Sequence, residues 1–394
     1  MLYAFILGNT PALSIAEMVS VLKDGMVKEA HREFLLFETE EIKDPQALLD
    51  RLGGTIKIYA IHTSPTPLED ILLSYNGSGK LSFACNLYGR RDTKYQKELI
   101  LQTKHFLKNK NISCRFVNKD FKNTTSVQSF HEHLVHKGVE IGIFAGKEKE
   151  YVGKLVATQN IEEYSRRDFN KPGRNMKVGL MPPKLAQMMI NLSGLEQGKT
   201  IYDPFCGTGG LLLEALLMKY RIFGSDLNPS VIEQAKKNII WICKKINKKP
   251  NFLNNLFIQD ATRFDKVAFP FDAIVTENYL GPVLSDAIRE EELGNIETHL
   301  GHIYLPFFEK LYKRISKEIP VVICFPVFYI QGKPYHLTKT LAQIEELGYT
   351  ASALIPQRVQ EEANIFTTDR NSIIYHREDQ LVGREIFKLY KSGK

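Results

Sequence analysis

The run Asp203-Pro204-Phe205-Cys206-Gly207-Thr208-Gly209-Gly210 holds the residue types best suited to gripping a small ligand. Its glycines let backbone approach a bound group closely, and the free N–H groups of a following helix N-terminus favour an anionic one. A dinucleotide loop needs G-x-G-x-x-G, but Leu212 stands where the third glycine would fall, and no lysine follows as a P-loop requires. Asp203 gives a different chemistry, because a carboxylate at a strand end suits a ligand carrying an ammonium group. Two more acids follow, Asp226 in Gly-Ser-Asp-Leu-Asn and Asp260 in Gln-Asp-Ala-Thr. Each alone also reads as a helix N-cap, whereas three on consecutive strand ends beside a glycine loop describe a pocket.

Placing these acids needs a regular scaffold, and from Pro182 onward the pattern supplies one. Strands are expected at Ile201–Phe205, Ile222–Leu227, Leu256–Ala261, Phe271–Glu277 and Val321–Phe325, with helices at Leu211–Tyr220, Ser230–Ile246 and Ile303–Ile315. Such alternation predicts an α/β fold, a doubly wound parallel sheet with helices on both faces. Ala351–Pro356 and Ser372–His376 are candidates for an antiparallel edge pair. The first half is instead α+β: a strand at Tyr3–Leu7, a helix entered through Thr10-Pro11, and short β-rich runs at Phe34–Phe37, Ile56–His62 and Leu81–Leu87. A basic helix over Lys94–Lys110 and strands at Ser113–Val117 and Val139–Ala145 complete it. The expected division is 1–150, a polar connector over 151–181, and 182–394.

The chain of 394 residues carries 52 Lys and Arg against 45 Asp and Glu, a net charge of +7. Between Arg90 and Lys137 lie eleven basic and four acidic residues, so this one stretch accounts for the whole surplus. The segment from Arg166 to Lys184 is also basic, with Arg166, Arg167, Lys171, Arg174, Lys177 and Lys184 against Asp168. The lysines over 236–249 read as the outer face of an amphipathic helix. Five widely spaced cysteines lack any Cys-x-x-Cys pair, and His131, His133 and His136 do not share a helical face, so no metal is expected. Apolar runs fall short of a membrane span and no secretory pattern opens the chain, so a cytoplasmic location without membrane attachment is the expectation.

The glycine loop and its acids resemble the class I S-adenosylmethionine-dependent methyltransferases. The full phrase Asp-Pro-Phe-Cys-Gly-Thr-Gly-Gly, with Arg166-Arg167-Asp168-Phe169-Asn170-Lys171-Pro172 and Met181-Pro182-Pro183-Lys184-Leu185-Ala186, is similar to THUMP-containing tRNA guanosine N2-methyltransferases of the position-10 type. The resemblance is good over about 150–380. Before that it rests on architecture, charge and a THUMP-like ending at Val139–Gly146, which imply a ferredoxin-like plus THUMP-like RNA-binding region. It implies S-adenosylmethionine as cofactor, held by Asp203, Phe205, Gly207, Thr208, Gly209, Asp226, Leu227, Asp260 and Ala261. In this scheme the loop holds the amino acid part, Asp226 the ribose hydroxyls and Asp260 the adenine amine. It also implies tRNA as partner, with Arg90, Arg91, Lys104, Arg115, Lys119, Arg166, Arg167, Lys171 and Arg174 as candidate contacts.

Relatives that methylate amines carry Asp/Asn-Pro-Pro-Tyr/Phe after the fourth strand, where this chain reads Thr276-Glu277-Asn278-Tyr279-Leu280-Gly281-Pro282. Counting forward from the strand puts Glu277 in the acid slot, and counting back from Tyr279 puts Thr276 there. Glu277 is favoured as acceptor for the amine hydrogen, with carbonyls near Asn278 as second acceptor and Tyr279 stacking on the base. Alternatives are N2 methylation of ribosomal RNA, amine methylation of DNA, and a non-catalytic RNA-binding protein that retains the cofactor fold.

Overall fold

A computed structural model describes the chain apart from residues 76, 78, 174–180, 267–268, 283–289, 378–379 and 394. It separates into two units, 1–165 with 355–366, and 166–354 with 367–394.

Strands of the first unit are β1 (Leu2–Leu7), β2 (Met26–Ala30), β3 (Phe34–Glu38), β4 (Thr55–His62), β5 (Leu81–Tyr88), β6 (Cys114–Phe116), β7 (Gly138–Ala145) and β8 (Glu150–Thr158). They form one sheet in the order β2-β3-β1-β4-β8-β7-β5-β6. β5 runs parallel to β6 and β7, and the other neighbours are antiparallel. Inside it, the Lys57 ammonium lies 2.6 Å from Glu140 Oε1, with both side chains excluded from water. Asn86 Nδ2 and the Tyr59 hydroxyl donate to the same oxygen, and Ser129 Oγ donates to Oε2 at 2.5 Å. A buried pair satisfied in this way ties β4 and β7 to the helix Ser126–His131.

Two features of this unit differ from expectation. The stretch read as connector opens inside β8, whose Glu150 and Lys154 give it a linker's composition although alternate residues are buried. The helix Gln357–Ala363, late in the chain, packs against β2, burying Val359 and Ala363 with Ile355 before them, and its Glu362 lies 3.8 Å from Lys147.

Strands of the second unit are β9 (Thr200–Asp203), β10 (Arg221–Asp226), β11 (Leu256–Ile258), β12 (Ala273–Glu277), β13 (Val321–Ile330), β14 (Lys333–Tyr335), β15 (Tyr349–Ala351), β16 (Ile373–Tyr375) and β17 (Val382–Lys391). Their order is β11-β10-β9-β12-β13-β17-β15, and the first five of these strands are parallel. Helices Pro183–Leu192, Gly210–Leu217, Pro229–Lys245, Glu290–Arg314 and Thr338–Glu346 accompany this doubly wound sheet. The expected parallel strands are all present, and the helix expected at Ile303–Ile315 is longer, Glu290–Arg314, because polar turns before Gly301 belong to it. The two late candidates do not pair with each other. β15 and β16 both pair with β17, a strand whose Arg384, Glu385 and Lys388 break the apolar pattern. Aromatic side chains of Tyr202, Phe264, Phe307, Phe308 and Phe325 fill the core beneath helix Glu290–Arg314. Among the described residues no helix is long and apolar enough to cross a membrane.

Candidate functional site

Strand order reverses between β9 and β12, and in open α/β sheets the crevice outside the carboxyl ends at such a reversal is where ligands bind. Asp203 is the last residue of β9 and is buried. Its Oδ1 accepts from Phe205 N at 3.1 Å and from Thr276 Oγ1 at 2.5 Å. Burial pushes the Asp203 carboxyl up to about 7, against the pull of the Thr276 bond. A buried acid so raised is a ready partner for a cation.

The glycine loop follows directly. Gly207 has φ +50° and open space where a side chain would project, and Gly209 has φ +77° with its hypothetical Cβ only 3.1 Å from Ala235. Both conformations favour glycine, so the loop's spacing is a backbone requirement. Gly207 N donates to Asp226 Oδ2 at 3.0 Å, and Asn228 N donates to Oδ1 at 2.9 Å, which places the Asp226 carboxylate at the end of β10 facing the loop. Thr208 is buried and Leu227 is exposed. Phe205 stacks edge to face on Phe307, with centroids 5.4 Å apart. Asp260 follows β11 and accepts from Thr262 N and Oγ1 at 2.9 and 2.7 Å, with Ala261 buried beside it. Asp203, Asp226 and Asp260 thus lie at the carboxyl ends of three neighbouring parallel strands, as the spacing predicts.

At the end of β12, Thr276 is buried and its hydroxyl is already committed to Asp203. Glu277 is bonded through Oε1 to Nε of Arg384, a buried arginine on β17. Asn278 is 2% exposed, and neither its Nδ2 nor its Oδ1 has a hydrogen-bond partner among the described residues. Tyr279 is 43% exposed, its carbonyl accepting from the buried Tyr304 hydroxyl. The amide of Asn278 is therefore a polar group with unmet bonding capacity next to the acid cluster.

The basic candidates divide. In the first unit Arg91 and Lys119 are exposed, Arg90 pairs with Glu150 at 2.7 Å, Arg115 pairs with Glu132, and Lys104 lies 5.3 Å over the Phe116 ring. In the second unit Arg166 is exposed, but Arg167 and Lys171 are not the surface groups their composition predicts. Arg167 Nε bonds Glu214 at 2.8 Å and Lys171 is 5% exposed, with Nζ 3.9 Å from where a Cβ on Gly210 would stand. The cause is Glu214, buried inside the apolar helix Gly210–Leu217, where an isolated carboxylate needs cations. Arg174 lies outside the described residues. Missed altogether was Asn238, whose Nδ2 donates to Gly173 O and Thr208 O at 2.9 and 2.8 Å and whose Oδ1 accepts from Gly173 N at 2.7 Å. It staples the segment after Lys171 to the glycine loop. An asparagine on the inner face of an otherwise apolar helix stripe was the available signal.

This strand order, the glycine loop and the strand-end acids define a class I methyltransferase domain. Residues 165–276 match the RMKL-like methyltransferase domain family. The chain is 26% identical to the tRNA (guanine(10)-N2)-dimethyltransferase of Pyrococcus abyssi, over 74% of this chain and 82% of that protein. It is 48% identical to the protein of the same name from Methanocaldococcus jannaschii, over 35% of this chain and 40% of the relative. TrmN from Thermus thermophilus has the same fold at 13% identity, with a TM-score of 0.52 over 99% of this chain and 100% of that one. The residues present fit S-adenosylmethionine: a buried acid for its ammonium, a cradle of left-handed glycines and a second and third acid beyond. Among the described residues no group of three His, Cys, Asp or Glu is gathered as a metal site.

Proposed function

We propose that the protein transfers a methyl group from S-adenosylmethionine to the exocyclic N2 amine of a guanosine in cytoplasmic tRNA, at a position-10 type site. The observation that carries the reading is the set of acids at three strand ends around the glycine loop, together with likeness to proteins named for that reaction. S-adenosylmethionine supplies an electrophilic methyl on a sulfonium. Asp203 binds the ammonium, Asp226 accepts from the ribose hydroxyls, and Asp260 serves the adenine end, with Leu227 and Ala261 as further cofactor contacts.

The guanine amine lone pair is delocalised into its ring, so the protein's task is to turn and align the amine. Glu277 accepts an amine hydrogen. The partnerless Asn278 amide supplies a further bond to the base edge, a side-chain role in place of the backbone carbonyls expected there. Tyr279 is exposed enough to stack on a base drawn out of its helix, recovering about 1–3 kcal/mol of the unstacking cost. The first unit, through Arg90, Arg91, Lys104, Arg115 and Lys119, and Arg166 in the second, engage RNA phosphate.

Incubating the full chain with labelled cofactor and tRNA transcripts, then resolving the nucleosides by mass spectrometry, tests this. N2-methylated guanosine, absent with Asp203→Ala, is expected. Label on adenosine or cytidine instead would overturn the guanine assignment.

A further inference from the structure

Arg384 belongs to no motif that the sequence offers, and its surroundings give it a task. Cys324 on β13 is the register partner of Glu277 on one side and of Ile386 on the other. Arg384, two residues before Ile386 on β17, reaches diagonally across β13 to Glu277 Oε1. Its side chain is 5% exposed and that of Glu277 18%. The neighbouring residue Glu385 is anchored separately: Oε1 accepts from Arg370 Nη2 at 2.8 Å and from Ser372 Oγ at 2.6 Å, and Oε2 lies 2.6 Å from His336 Nδ1. The Arg384 backbone pairs with Pro326 on β13 and Tyr375 on β16. The strand carrying the guanidinium is thus fixed on both sides and at the adjacent position.

We infer that Arg384 is a positioning residue for methyl transfer: it holds the Glu277 carboxylate in place, as an acceptor, at the carboxyl end of β12. This rests on the reading of Glu277 as the group that bonds the target amine. A glutamate has one more rotatable bond than an aspartate, and here it also lacks the rigid proline pair that follows the acid in relatives. Without a tether its carboxylate would sample several rotamers. A guanidinium is the fitting tether, since it stays charged at all working pH and gives its donors in a fixed plane. One oxygen of Glu277 is oriented by Arg384, and the other is left to meet an N–H of the base.

The test compares Arg384→Gln, Arg384→Lys, Glu277→Gln and the Arg384→Gln/Glu277→Gln double variant in the full chain. Three quantities are read: single-turnover transfer at saturating tRNA, cofactor affinity by calorimetry and tRNA affinity by filter binding. Arg384→Gln is expected to slow transfer about 10- to 100-fold, the scale of a misplaced reacting group, with both affinities nearly unchanged. Arg384→Lys should restore part of the rate, because charge is kept and the planar fork is lost. The double variant should be no slower than Glu277→Gln, since two residues acting through one group do not add. If Arg384→Gln melts at the working temperature, Arg384→Lys with Glu277→Gln carries the comparison. Full rate in Arg384→Gln, or losses that multiply in the double variant, would overturn the inference. A wild type that methylates a different base overturns the guanine reading alone, because the same variants are then compared on that base. A wild type that methylates none overturns both.

Discussion

The first unit sets the buried Glu140 against Lys57 and the second sets the half-buried Glu277 against Arg384, and these two pairs are finished differently. Glu140 in the first unit has both oxygens occupied, by Lys57, Asn86 and Tyr59 on one and Ser129 on the other. Glu277 in the second has Arg384 on one oxygen and sits beside Asn278, whose amide meets nothing among the described residues. A closed network holds strands in register, whereas an open one keeps bonding capacity for a ligand. Between these two acids, charge set against charge does not separate structure from site; the bonding capacity left open beside Glu277 does.

The largest effect should separate the pairs most plainly. Glu140→Ala strands a buried ammonium and should cost about 3–5 kcal/mol, read as a lowered denaturation midpoint of the first unit's transition. Glu277→Ala, at a more exposed pair, should destabilise less and show chiefly in the transfer rate. Equal losses of stability would erase the distinction.

Asp226→Ala comes next. It removes the acceptor for Gly207 N and Asn228 N along with the carboxylate offered to ribose, so cofactor affinity should fall about 100-fold, near 3 kcal/mol. Calorimetry measures this, and unchanged affinity would move the cofactor off these strand ends.

The pH response of Asp203 is smaller and has a definite sign. Its carboxyl is raised to about 7 in the folded protein, so between about 4 and 7 the folded state holds a proton that the unfolded chain has released. Stability of the ligand-free protein therefore falls as pH rises through that window, and Glu214, also raised by burial to about 7, acts in the same direction. Cofactor affinity should do the reverse, gaining up to about tenfold per pH unit below 7, because an ammonium prefers the ionised acid. Calorimetry at pH 6, 7 and 8 in buffers of different ionisation enthalpy would show proton release on binding, and Asp203→Asn would abolish it. The smallest effect is Lys119→Ala, expected to weaken tRNA binding by about two- to threefold and to flatten the salt dependence by one phosphate contact, about 0.9 in log–log slope. Filter binding across a salt series checks it.

Much of the second unit was legible because its signals are local. The glycines with left-handed φ, the acid at each of three strand ends and the period of each helix are each written in a few neighbouring residues. What escaped depends on partners far away in sequence. β17 looked polar because Arg384 and Glu385 find their partners at Glu277, Arg370 and His336. Arg167 and Lys171 looked like surface cations because Glu214, the acid that draws them inward, lies more than forty residues later. A lone carboxylate within Leu-Leu-Leu-Glu-Ala-Leu-Leu was the one hint that cations must come to it.

The helix Gln357–Ala363 has a consequence for the order of events in the cell. It is the last piece of the first unit to leave the ribosome, following residue 165 only after the intervening 189 residues of the second unit, 166–354, have been made. At about 5–20 residues per second, that leaves β2 without its cover for about 10–40 s. A chain released early would expose this gap, so completion of the first unit is timed by synthesis of the second.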